Sequence, residues 1–85
     1  MELKVSKTTD PGKLAGAIAS YTKEGKDIEL LAIGAGAVNQ TVKAMAIARS
    51  FVIARGLDIK FTASFKTVNI DNKEKTAIVF NLERK

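Results

Sequence analysis

The sequence predicts an α/β two-layer sandwich, a four-stranded mixed sheet with both helices on one face, in the order β-α-β-α-β-β. Three observations predict it. Two segments repeat apolar residues at helical spacing, one around Leu14 and Ile18 and one from Ala37 to Ala54. A short strand-like stretch precedes each of them. Two alternating stretches follow, separated by Asp71-Asn72, which reads as the turn of an antiparallel hairpin. Strand-helix-strand units cross over right-handed, so both helices are expected on the same side.

The first strand is expected within Glu2–Lys7, where Leu3 and Val5 alternate with Lys4. Asp10-Pro11 then starts a helix over about 11–24. Asp10 accepts hydrogen bonds from free amides of the first turn, and Pro11 suits the first helical position. Leu14, Ala17, Ile18 and Tyr21 give this helix one apolar face, and Gly25 ends it. Gly16 lies inside it and is expected to allow close packing.

Ile28–Ile33 is nearly continuous apolar sequence, which suits a central strand. Gly34-Ala35-Gly36 links it to a helix over Ala37–Ala54. Asn39, Lys43, Ala46 and Ser50 share the outward face of that helix. Val38, Val42, Met45 and Val52 form one flank of its buried arc, and Ile47 and Phe51 form the other. A third strand begins at Leu57–Ala63. The alternation changes phase between Phe65 and Val68, which predicts a bulge or a break. Asp71-Asn72 tolerates positive φ, and Thr76–Leu82 returns as the last strand. No repeat or linker interrupts the chain, which reads as one domain over 1–85. Apolar residues on the second sheet face, Val68 and Val79 among them, together with a thin core, favour a homodimer.

Composition removes most catalytic options. With neither cysteine nor histidine there is no thiol nucleophile, imidazole base, disulfide or Cys/His metal site. The nine acidic residues are scattered, mostly beside lysine, so the reading is of a non-enzyme without cofactor or metal. No apolar run is long enough to span a bilayer and the N-terminus has no signal-peptide core, so no membrane role and a cytoplasmic location are expected. Fourteen Lys and Arg give a net charge of +5, which points to an anionic partner, most often nucleic acid, or else serves solubility.

Several residues could carry that binding. The Gly34–Gly36 junction lacks the third glycine of a dinucleotide fingerprint and the ending of a P-loop. It can still present amides at the positive end of a helix dipole to one phosphate, with Asn39 and Gln40 as added donors, or simply turn the chain. Lys7 and Lys13 flank the first strand-helix loop, on the same sheet edge as that junction, so they are expected to cluster with that helix terminus, and Lys43, on the outward face of the second helix, is a further candidate contact. Lys66, Lys73 and Lys75 surround the hairpin tip, either as an arm that enters a groove or as a solvated turn. Arg49 falls within the apolar flank. It either pairs with a carboxylate or carbonyl of the fold or meets a partner. The aromatics Tyr21, Phe51, Phe61, Phe65 and Phe80 mostly fall at core parity, so recognition by base stacking is not expected.

The runs Ala32–Gln40 and Lys43–Arg49, with Ile70–Ile78, resemble the stage V sporulation protein S family, and the likeness extends over essentially the whole chain. The resemblance implies a small protein linked to spore formation. The family's fold is similar to that of Alba, the small basic chromatin protein, and to the C-terminal domain of initiation factor three. That implies an Alba-like fold, a dimer, and DNA or RNA as partner. By position, Lys7 falls in Alba's first-loop lysine region, and Gly36 to Gln40 falls where Alba carries Arg and Lys. The combined expectation is a nucleic-acid-binding regulator. The alternative is a dimeric protein-interaction adaptor on the same scaffold.

Overall fold

Asp10 starts the first helix as its chemistry requires. In the computed structural model, which describes residues 1–85, its Oδ1 accepts from the Gly12 N–H at 2.8 Å and the Lys13 N–H at 3.4 Å. Pro11 occupies the first turn, where a missing N–H costs nothing. The elements are β1 (Glu2–Val5), α1 (Pro11–Lys23), β2 (Ile28–Ala32), α2 (Ala35–Ile53), β3 (Ile59–Ile70) and β4 (Lys73–Arg84). The order is the expected one. α2 begins two residues earlier than its apolar pattern suggests, because Gly34, at φ +90°, already makes the turn.

The sheet order is β1-β2-β4-β3, with β1 and β2 parallel and the other two pairs antiparallel. β2 is central, and both helices cover one face. Leu3, Val5, Ile28, Leu30, Ala32, Phe80 and Leu82 point into that layer, against Leu14, Ala15, Ile18, Ala44, Met45 and Ala48. The alanines let the helices sit close to the sheet. No helix is long and apolar enough to cross a membrane.

The expected bulge or break is absent. β3 pairs with β4 without interruption from Ile59↔Arg84 to Ile70↔Lys73. Asp71 (φ 51°) and Asn72 (φ 63°) close the hairpin as a two-residue turn with both φ positive, which matches strand twist. The phase change has another cause. Phe61 and Phe65 lie on the helix side, whereas Val68 lies on the helix-free side, beside a second cluster of Leu31, Ala77 and Val79. One uninterrupted strand therefore serves two apolar faces in turn.

Three burial expectations are corrected. Val42 is 49% and Phe51 51% exposed, so the buried arc of α2 is narrower than the sequence suggests and is carried by Ala37, Thr41, Ala44, Met45, Ala48 and Val52. Of the aromatics only Phe80 is buried, with Phe61 53% and Phe65 81% exposed. The helices stop over β4 and leave edge strand β3 uncovered. Gly16, finally, allows no close packing within the chain, since a Cβ there would meet nothing within 4 Å.

Candidate nucleic-acid interface

The β1–α1 loop closes on itself. The Ser6 N–H donates to Thr9 Oγ1 at 2.9 Å and the Thr9 N–H to Ser6 O at 3.1 Å, leaving Lys7 exposed between them. The loop then leans on the start of α2. Gln40 Nε2 donates to Thr9 O at 2.9 Å, and the Lys7 Cβ lies over Gly36, where an added Cβ would come within 2.7 Å of it. The two strand-helix junctions thus meet, as the parallel β1–β2 pairing requires. One Nε2 hydrogen of Gln40 is thereby committed to this link.

Gly34 precedes α2 without any side-chain cap, so the first-turn amides depend on solvent or a ligand at the positive end of the helix dipole. Asn39 is exposed one turn on. It shares a cleft of about 550 Å³ with Gly34, Val38, Val42, Phe65 and Thr76. Lys43 is exposed a further turn along α2, and Lys13 is exposed in the first turn of α1, close to the capping Asp10. Neither α1 nor α2 contains an acidic residue.

The hairpin extends past the body at this same end. β2 pairs with β4 only over Ile78–Leu82, so Lys66–Ala77 projects as a two-stranded arm of roughly 17 Å at the usual rise per residue. Cross-strand partners share a face. Lys66↔Ala77, Val68↔Lys75 and Ile70↔Lys73 lie on the helix-free side, and Asn69↔Glu74 lies on the other. All three arm lysines therefore share one face with Val68 and Ile70, away from Glu74. None of them has a carboxylate partner, since the ion pairs are Lys26–Glu24, Arg49–Asp58 and Lys60–Glu83. Sequence reasoning missed this segregation because the expected bulge hid the parity; unbroken alternation across a two-residue turn would have revealed it.

Arg49 takes the first of its two alternatives. Its Nε donates to Asp58 Oδ1 at 2.9 Å and its Nη2 to Oδ2 at 3.4 Å, and its aliphatic stem lies beside Val42, Met45 and Phe61. The hydrogen bond to Asp58 and the opposite charge raise the guanidinium pKa. The same hydrogen bond, with that from the Ile59 N–H, lowers the Asp58 carboxyl. Arg49 thus stands apart from the arm and the loop, with its charge matched.

The opposite end of the sheet carries charges of both signs, with Lys60 paired to Glu83 and Arg84 reaching the Lys23 carbonyl. Asp27, Glu29 and Glu83 line a shallow cleft there, and Glu2 lies beside Glu29 in register.

Comparison with known proteins supports this architecture. The family described as Stage V sporulation protein S (SpoVS) matches residues 1–85. Among solved structures, Alba from Thermoplasma volcanium has the same fold. It superimposes with a TM-score of 0.64 over 100% of this chain and 99% of that one, at 13% sequence identity.

Proposed function

Because this chain belongs to the stage V sporulation protein S family over residues 1–85, and so to a family with a sporulation-related role, we propose that it is a non-enzymatic regulator that binds DNA or RNA. It grips backbone phosphates as a homodimer. The observation that carries this reading is the segregation of Lys66, Lys73 and Lys75 on one face of the arm, at the same end as Lys7 and the uncapped α2 terminus. A two-stranded arm reaches along a groove while the loop and helix terminus receive a neighbouring phosphate. Lys13 and Lys43 extend the cationic surface over the helix layer, and Asn39 adds a neutral donor.

The dimer is supported by the apolar strip that β3 leaves open. Val42, Met45 and Phe61 line a cleft between α2 and β3, and Phe65 and Ile78 line a second one beside it, an apolar strip of the kind that marks an interface. Pairing two copies there puts two arms on one particle.

Titration of labelled duplex DNA and of single-stranded RNA tests the proposal. If about four to six phosphates are neutralised, affinity falls roughly a hundredfold or more between about 50 and 200 mM salt. Absence of binding at the lower salt overturns the reading and leaves the adaptor role.

A further inference from the structure

The helix layer has a second open surface, at the end opposite the arm. Gly16, Ala19 and Lys23 of α1 face Phe51, Val52, Ala54 and Arg55 at the end of α2, across a cleft of about 410 Å³. Glycine inside a helix weakens it relative to alanine, and here no contact within the chain needs the missing side chain. Beside it, Phe51 leaves half of its surface in water. Lys23 and Arg55 stand on the rim, neither of them in an ion pair, and the nearest acid in sequence, Glu24, is held by Lys26.

The geometry points to this cleft as a docking site for an acidic amphipathic segment of a partner protein. An apolar side chain of the partner rests over Gly16 against Phe51, and its carboxylates meet Lys23 and Arg55. Charge complementarity selects this occupant. Any cover partly desolvates the two rim cations, which is costly unless it brings anions of its own. A second copy placed symmetrically on the cleft would set Lys23 and Arg55 against the same cations. Nucleic acid is disfavoured by the lining, since Ala19, Phe51, Val52 and Ala54 offer nothing to phosphates and a concavity of this size admits a side chain rather than a duplex. The site is separate from the arm, so the protein joins a nucleic acid at one end to a protein at the other.

The test uses fluorescence anisotropy with a short labelled amphipathic peptide that carries Leu and Phe on one helical face and Glu on its flanks. The same peptide with Lys in place of Glu is the control. The wild-type protein is expected to bind the acidic peptide and not the basic one. Gly16→Ala should raise the melting temperature yet weaken peptide binding by about tenfold or more, the scale of a lost central contact, so the loss cannot be ascribed to unfolding. Replacing Lys23 and Arg55 together with Glu should transfer binding to the basic peptide. The inference is overturned if Gly16→Ala binds as well as wild type or fails to raise the melting temperature. It is likewise overturned if the two peptides bind alike, if duplex DNA displaces the acidic one, or if Gly16→Ala lowers the oligomeric mass.

Discussion

Lys7 lies over Gly36 so closely that a Cβ on the glycine would stand 2.7 Å from the Cβ of the lysine. This contact holds the β1–α1 loop against the start of α2 and keeps Lys7 near the α2 amides. Gly36→Ala is therefore expected to destabilise the protein by about 1–3 kcal/mol, the usual cost of overpacking. Urea unfolding measures it. A double-mutant cycle with Lys7→Gly, which removes the opposing Cβ, should recover part of that loss.

The arm lysines act through phosphates, so their effect is a matter of salt dependence. Replacing Lys66, Lys73 and Lys75 with Ala should lower the slope of log affinity against log salt by about 2 to 3, at roughly 0.9 per phosphate contact. Glu74→Gln, on the other face of the arm, should change affinity far less. Equal effects from Glu74 and the lysines would mean that only net charge matters and the face does not.

Phe65 is the most exposed large apolar side chain of the strip between α2 and β3. Phe65→Ser should leave the melting temperature of the isolated subunit nearly unchanged, because there is little buried surface to lose. Dimerisation should suffer instead. Burying a Phe contributes about 1.5–3 kcal/mol, so the dissociation constant should rise at least about tenfold. Sedimentation equilibrium reads this directly, and a wild-type mass of one chain at high concentration contradicts the dimer.

The Arg49–Asp58 pair confers an acid limit on stability. Hydrogen bonds from Arg49 and from the Ile59 N–H hold the Asp58 carboxyl below its ordinary value. Its contribution is complete above the unfolded pKa of about 4, and is lost as pH falls through the lower, folded one. Asp58→Asn should therefore flatten stability against pH across that acidic interval and leave the neutral range level. Thermal melts from acid to neutral pH check it.

Gly16 offers a stability prediction that needs no partner. With open space where its Cβ would be and an ordinary helical backbone, Gly16→Ala should stabilise the free protein by about 0.5–1 kcal/mol. Gly34→Ala should do the reverse, because φ +90° is strained for any residue with a Cβ.

Local chemistry made the element order legible in the sequence. Asp10-Pro11 favours a helix start, Gly25 and Gly34 supply positive φ, and Asp71-Asn72 closes a hairpin, all within a few residues of chain. The meeting of Lys7 with the α2 junction was legible too, since parallel strands bring their ends together. The absence of His and Cys needed no structure at all. What tertiary structure decided is which periodic faces become covered. Val42, Phe61 and Phe65 fit core periodicity, but two helices span only part of a four-stranded sheet, so those positions stay in solvent, and Phe51 stays exposed in the open cleft between the helices. Likewise, the segregation of the arm lysines from Glu74 depends on a register unbroken from Ile59 to Lys73. Periodicity gives a side chain its direction within its own element. Whether another layer waits there depends on long-range packing, which no local pattern encodes.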